Sequence, residues 1–315
     1  MTPGLASEQG RRELPGVVLV CAAGALWGTA PIAFDIVHDG TAMSAAAASA
    51  YRLAIAGAVL WCLALLRSQG RATLRSLLRS PSAWAIGIGT AGYQVLWFQA
   101  ITLVGASIAT VLSLGLAPLV LVVWESVRTR TLPAASRLGI IALALIGLTL
   151  VCLPGEEGVA GDGSFLGIAL AVLSGVAYAA TTLLSRRAAG SIPVLHMSTV
   201  TATVGALCLA PLALLSGNWQ VSDPAAVPTL LYLGVVTMAL ASIALHRGLR
   251  TASASTAGVA TLLEPAVASL LAVVILGEIL TPAAGVGLIL ILAATVGLTI
   301  LNPDAREMTQ RKAPT

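Results

Sequence analysis

The chain reads as an all-α integral membrane protein of ten transmembrane helices, arranged as two five-helix repeats of inverted topology. Three observations predict this. The 315 residues are 57% apolar and only 10% charged, with mean hydropathy +0.95, whereas a soluble domain carries about 25% charged residues. Sixteen of the 17 Lys and Arg residues fall in the two tails or in, or at the edges of, alternate gaps of the apolar pattern. The second half of the sequence also repeats the first.

The spans are placed at 16–37, 43–66, 82–102, 106–127, 135–153, 164–184, 193–216, 225–246, 253–276 and 282–301. Each run is about 20 residues, enough to cross roughly 30 Å of hydrocarbon. Lipid offers the backbone no partners, and the alternation of a barrel strand is missing, so the runs must be helices. The first follows Gly16 and is too long for the apolar core of a signal peptide. Arg11-Arg12 with Glu13-Leu14-Pro15 after it makes a poor twin-arginine signal, and Val18-Leu19-Val20-Cys21 a poor lipobox. This run is read as a retained span. The second contains Arg52 and ends before the basic gap Arg67, Arg71, Arg75 and Arg79. The third carries Thr90, Tyr93, Gln94 and Trp97. The fourth carries Thr110, Ser113 and Ala117-Pro118 and meets Arg128, Arg130 and Arg137. The fifth ends before the acidic gap Glu156, Glu157 and Asp162. The sixth carries Ser174, Tyr178, Thr181 and Ser185 and stops at Arg186-Arg187. Span eight ends at His246-Arg247, with Arg250 beyond. Span nine holds Thr261 and Glu264-Pro265 and ends at Gly277-Glu278. The gaps on the other side hold Asp39, Glu156, Glu157, Asp162, Asp223 and Glu278 and no base. The tails, 1–15 and 302–315, add Arg11, Arg12, Arg306, Arg311 and Lys312. Basic residues of short loops stay cytoplasmic, so both tails and every even-numbered gap face the cytoplasm.

The net charge of +4 and pI near 9.2 do not indicate nucleic acid, because the bases sit in short loops beside apolar spans. Cys21, Cys62, Cys152 and Cys208 stand singly inside apolar runs. They read as small core residues rather than disulfides or metal ligands, and no cofactor is expected. The excess of Arg over Lys, with abundant Ala, fits a bacterial plasma-membrane protein from a GC-rich genome.

Residues 105–118, GASIATVLSLGLAP, match 252–265, ASASTAGVATLLEP. Gly24-Ala-Leu-Trp27-Gly28 pairs with Gly175-Val-Ala-Tyr178-Ala179, and Gly147-Leu-Thr-Leu with Gly297-Leu-Thr-Ile. The halves are therefore 16–153 and 164–301. Five spans is an odd number, so the second half enters from the opposite face, as in many secondary transporters, whose site lies between the repeats near the midplane. With Leu26-Trp27-Gly28, Tyr51-Arg52-Leu53, the Ala-Ser-rich entries to spans four and nine, Pro118, Glu264-Pro265 and Gly277-Glu278, the chain resembles the EamA branch of the drug/metabolite transporter superfamily over about residues 16–301. The resemblance implies export or exchange of amino acids, amines, nucleosides or other small metabolites, often with proton coupling. Two departures stand out. Arg130-Thr131 occupies the place where Gly-Glu would follow span four, and His246 stands where relatives more often have an aromatic residue.

Several polar side chains sit at depth. A charge there costs about 2.5–3.5 kcal/mol on insertion scales, so it faces protein or a water-filled cavity. Arg52 is read either as a fork for an anionic group such as a carboxylate or as a structural cation bonded to backbone carbonyls or a carboxylate. Glu264, taken as buried away from a base, suits a proton carrier or an amine ligand, or else a structural carboxyl. Pro265 removes a backbone donor and predicts a helix break near Thr261. Thr90, Tyr93, Gln94 and Trp97 recur at i, i+3, i+4 and i+7, one helical face, which suits a cavity wall or a packed face. Tyr178 and Thr181, with Ser174 and Ser185, form a similar stripe, as do Thr110, Ser113 and Ala117, where close helix packing competes. Trp27 shares a face with Gly24, Pro31 and Asp35, and Asp35 is expected to be solvated. Trp84 and Trp124 read as interfacial anchors, His196 and His246 as interfacial, and Glu125 as paired with Arg128 or another loop Arg.

The expected substrate site is therefore Trp27, Arg52, Thr90, Tyr93, Gln94, Trp97, Tyr178, Thr181, Thr261 and Glu264, with Glu264 the candidate for proton coupling. One deep cation and one deep anion suit a zwitterion. Lys312, the only lysine, lies in the tail, so there is no P-loop lysine and a concentrating gradient must come from an ion or an exchange partner. Paired Asp motifs and a GxSG with a deep His are absent, which argues against an intramembrane enzyme. The competing reading is a non-transporting scaffold or lipid-handling protein. The protein is expected to act on a small-molecule substrate in the bilayer as a monomer or homodimer. A fluorescent protein fused after Thr315 should fluoresce and alkaline phosphatase there should be inactive, with the reverse for fusions in the Glu156-Glu157 gap. Active phosphatase at the C-terminus would overturn the orientation.

Overall fold

A computed structural model describes residues 4–41, 43–68, 70–152, 164–277 and 281–301. Among them every regular element is helical, as backbone satisfaction in hydrocarbon requires. Eight stretches are long and apolar enough to cross a membrane: Pro15–Phe34, Ala46–Leu66, Ile108–Thr129, Ala135–Cys152, Phe165–Ala188, Val194–Leu215, Ala226–Gly248 and Ala254–Ile275. The spans expected at 82–102 and 282–301 are not among them. The first carries Thr90, Tyr93, Gln94 and Gln99, which dilute its hydropathy. The second is represented by the shorter apolar stretch Pro282–Gly297.

Helix α1 (Gly4–Gly28) runs through Pro15, so the expected tail is helical from Gly4, and after a turn at Thr29 the chain continues as α2 (Ala30–Thr41). Ser44 caps α3 (Ala45–Leu66), accepting from the Ala47 N–H. A short amphipathic helix, α4 (Gly70–Arg79), occupies the first basic gap, where the sequence reading had only a loop. Helix α5 (Pro81–Thr129) takes in two predicted segments. Straight, its 49 residues would reach about 73 Å. It is not straight. Ser174 in α7 (Ser164–Ala188) donates to the Tyr93 carbonyl at 2.8 Å, and Ser113 donates to the Ala171 carbonyl at 3.0 Å. Neighbouring turns of α7 thus touch residues that a straight helix would hold roughly 30 Å apart. The path of α5 reverses near Leu103 and Val104, which lie against Gly167, and its two arms flank α7.

The remaining elements are α6 (Ala135–Cys152), α8 (Val194–Leu215), α9 (Ala226–Gly234), a π-helical turn (Val235–Leu240), α10 (Ala241–Gly248), α11 (Ala254–Ala260), α12 (Leu263–Leu271), a second π-helical turn (Ala272–Leu276) and α13 (Pro282–Leu301). The expected break at Pro265 is present: Thr261 and Leu262 form a turn between α11 and α12, and the Glu264 N–H bonds back to the Thr261 carbonyl at 3.0 Å.

Helices close on each other through glycines, since van der Waals packing rather than apolar transfer drives association in lipid. A Cβ on Gly28 would sit 2.5 Å from the Glu264 carbonyl oxygen and 2.7 Å from Val267 Cβ. Gly147 of α6 would meet the Gly287 carbonyl of α13 at 2.7 Å. At one end of the bundle Glu125 pairs with Arg137 at 2.6 Å, one of the partners expected for it. Its carboxylate also accepts from the Ser255 N–H at 3.2 Å and the Ser255 hydroxyl at 2.6 Å. An anion at the first turn of α11 answers that helix's unbonded N–H groups and dipole, and the pair ties α5, α6 and α11 together.

Trp84 and Trp124 are partly exposed on the outer surface, and the Arg187 guanidinium lies 5.2 Å from the Trp124 ring centre. His196 and His246 are both buried in the bundle, and His246 Nδ1 lies 2.9 Å from the Ser198 hydroxyl. His246 is thus satisfied inside the bundle, whereas the buried His196 Nε2 has no hydrogen-bond partner among the described residues. The side chains of Asp35, Asp39, Arg11 and Arg12, and all of Glu156, Glu157, Asp162, Glu278, Arg306, Arg311 and Lys312, lie outside what is described.

Replacing Gly28 with Leu should lower the stability of the solubilised protein by about 1–3 kcal/mol, the usual cost of overpacking a closed contact, whereas Gly139→Ala, with open space around it, should be neutral. Equal melting temperatures for the two variants would contradict the packing described.

Candidate functional site

The helix break in span nine, the π-turn of span eight and the first arm of α5 converge on one internal cavity of about 100 Å³. Seven of the expected residues line it. Trp27 comes from α1 and Arg52 from α3. Tyr93, Gln94 and Trp97 come from one face of α5, Tyr178 from α7, and Glu264 from the first turn of α12. Their placement follows from helical spacing: i, i+1 and i+4 of α5 face one way, and the break at Thr261–Leu262 turns Glu264 inward.

Arg52 and Glu264 therefore share a cavity, which corrects the expectation that Glu264 sits away from a base. They do not pair directly. Arg52 Nη2 donates instead to the Thr237 carbonyl at 3.0 Å, inside the π-turn Val235–Leu240. A π-turn re-aims backbone carbonyls away from the regular i→i−4 pattern, and here one is used to hold the guanidinium. This matches the structural reading of Arg52 in part. Its Nε, buried, has no hydrogen-bond partner among the described residues, and neither has the indole Nε1 of Trp97. Two donors without acceptors thus belong to residues of the same cavity. In a low-dielectric interior such groups are costly to leave unmet.

The aromatic side of the cavity is organised. The Tyr93 and Tyr178 rings meet edge to face, with centroids 5.2 Å apart and planes 81° apart, a favourable quadrupole arrangement. The Tyr178 hydroxyl donates to Thr261 Oγ1 at 3.2 Å, and Thr261 passes a hydrogen bond to the Gly258 carbonyl at 2.9 Å. Tyr178 is thereby fixed on the broken segment that presents Glu264.

Three expected residues do not line the cavity. Thr90 and Thr181 turn their hydroxyls onto the Ile86 and Ala177 carbonyls one helical turn back, both at 2.8 Å. Thr261 supports Tyr178 from behind. Residues not singled out include Phe98, Leu114 and Met238. Phe98 follows Trp97 and its ring lies 5.1 Å away, but it lies off the i, i+3, i+4, i+7 series. Met238 reaches the cavity from the π-turn, which no feature of the sequence announces. Ser113 and Ser174, from the stripes where a cavity wall and close packing competed, line it while also bonding across helices.

The sequence matches the EamA-like transporter family over residues 14–153 and 165–300. It is 29% identical over 238 residues to the uncharacterized transporter YwfM of Bacillus subtilis, covering 74% of this chain and 77% of that one. It is 25% identical over 298 residues to the uncharacterized inner membrane transporter YicL of Salmonella typhimurium, covering 92% and 96%. A solved crystal structure aligns with a TM-score of 0.75 at 21% identity, over 93% of this chain and 98% of that one, a likeness of fold.

Tyr178→Phe should lower stability by about 1 kcal/mol, the net worth of one buried hydrogen bond, and Tyr178→Ala by about 3–5 kcal/mol through the ring's lost packing. Thermal melts in detergent separate the two, and equal effects would contradict the hydroxyl's role on Thr261.

Proposed function

The chain belongs to the EamA-like transporter family, and from that premise we propose that it is a secondary active transporter of small zwitterionic or amine metabolites, amino acids first among them. Membership makes it a multi-pass membrane transporter acting on a small molecule, and not an enzyme. The finer reading rests on one observation: Arg52, with an unmet donor, and Glu264 face one small cavity without pairing. A guanidinium suits a carboxylate through its planar fork. Glu264 suits the ammonium of the same solute or a coupled proton. Tyr93, Trp97 and Tyr178 give an aromatic face that also accommodates a cation. A volume of about 100 Å³ is well under the roughly 300–1,000 Å³ of drug-sized sites, which favours a small solute. The proposed site is the expected set, with Thr90, Thr181 and Thr261 acting behind the wall rather than in it.

We further propose ten transmembrane helices in two inverted halves, 16–153 and 164–301, with both termini cytoplasmic in a bacterial inner membrane and export or exchange as the direction. Reciprocal contacts support the inversion. Gly24 of α1 packs on Ala260 and Thr261, and its repeat partner Gly175 packs on Ser113, the counterpart of Ala260, and on Leu116 one turn along. Gly147 lies against Gly287, while its partner Gly297 lies against Ile140. Exchange of this kind is what a two-fold axis between halves produces, and rocking about such an axis opens a midplane site to each side in turn.

The test is a thermal-shift screen of purified protein against amino acids, amines and nucleosides, with Arg52→Ala and Glu264→Gln in parallel, since a ligand of the folded state raises apparent stability. One class should stabilise the wild type and neither variant. A shift that survives both substitutions overturns this site, and no shift from any of the three classes overturns the substrate class and favours the scaffold reading. Glu264→Gln should also abolish the pH dependence of transport; an unchanged pH profile removes Glu264 from the coupling.

A further inference from the structure

A second site lies apart from the central cavity, on α4. Its Arg71, Arg75 and Arg79 recur at i, i+4 and i+8, so the three share one helical face. They border a concavity of about 650 Å³ together with Ser80, Pro193 and His196. No carboxylate lines it, and none of the three arginines forms an ion pair among the described residues. Like charges at this spacing repel one another, so the arrangement favours an anion. A second observation points the same way. His196 is only 7% exposed, and its Nε2 has no hydrogen-bond partner among the described residues. A buried ring nitrogen at the edge of a tri-arginine concavity is placed to reach a ligand's oxygen.

We propose that this concavity binds the phosphate of an anionic phospholipid headgroup. The surroundings favour a lipid over a soluble phosphate. Helix α4 follows the membrane span Ala46–Leu66 directly and packs on α3 and α8. Leu74 beside the arginines is 48% exposed, and Leu65 and Leu66 at the end of α3 are 63% and 83% exposed, an apolar collar at the level of the headgroups. The same two helices border an apolar cavity of about 430 Å³ lined by small residues such as Ala54, Gly57, Ala206 and Ala210. Trp61 bridges its wall by donating to Thr203 Oγ1 at 3.1 Å. A guanidinium cluster for the phosphate and an apolar groove further along the same two helices for an acyl chain are what one lipid molecule requires. The inference rests on the membrane placement of the chain and is independent of its substrate.

The experiment titrates solubilised full-length protein with phosphatidylglycerol, phosphatidylcholine and inorganic phosphate, reading thermal stability. Phosphatidylglycerol should stabilise the wild type, and phosphatidylcholine or millimolar inorganic phosphate should not. In the triple variant Arg71→Gln, Arg75→Gln, Arg79→Gln, all three at exposed positions, the midpoint should weaken by about 100-fold, roughly fivefold for each charge removed near an anionic surface. The triple Lys variant should retain most of the effect and shows that the helix tolerates replacement. Equal stabilisation by the two lipids, an unchanged midpoint in the Gln variant, or an equal effect of inorganic phosphate would each overturn the proposal.

Discussion

Hydrocarbon supplies no hydrogen-bond partner, and nearly everything in this molecule follows from that constraint. It forces the backbone into helices and turns deep polar side chains inward. Most hydroxyls meet the demand locally: Thr199, Thr203, Thr237 and Thr295 all donate to the carbonyl one turn back on their own helix. Groups too long or too charged for that solution are gathered elsewhere. Arg52 reaches a carbonyl of the π-turn, and Glu125 and Arg137 find each other and the first turn of α11. Two of the buried donors left without a partner among the described residues, the Arg52 Nε and the Trp97 indole, meet Glu264 at one cavity.

The same constraint explains the irregular backbone. Pro265 removes a donor, the chain turns at Thr261–Leu262, and the Thr261 carbonyl is taken up by the Glu264 N–H and the Gly258 carbonyl by the Thr261 hydroxyl. Gly24 and Gly28 then let α1 press directly on the broken segment. Closeness here does two jobs: it replaces the missing apolar driving force, and it shields non-helical backbone from lipid. The cavity is thus a consequence of packing around a break, with Tyr178 bracing the break through Thr261.

The membrane class was legible because charge and hydropathy act over whole segments, where local errors cancel. The inward faces of α1, α3 and α5 were legible for a related reason: a costly side chain such as Arg52 or Gln94 has few places to go. Thr90 and Thr181 read the same way and went elsewhere, because a threonine can satisfy itself on its own helix and an arginine cannot. The burial of His246 was not legible because its partner Ser198 is distant in sequence. The π-turn at Val235–Leu240 has no local signature, being set by what packs against it, whereas the reversal of α5 near Leu103 and Val104 falls in the gap read between spans three and four. The basic stripe of α4 was present at helical spacing but was absorbed into the count of loop charges.

The central claim is that the cavity around Arg52 and Glu264 is a transport site reached from both sides of the membrane. The most direct measurement places a cysteine at Leu114, which lines the cavity, in a background where Cys21, Cys62, Cys152 and Cys208 are serine. Its reaction with an impermeant maleimide is then followed in oriented membranes from each side. The account predicts labelling from both sides, slowed by substrate. Labelling from one side only, or none with the protein folded, would contradict it.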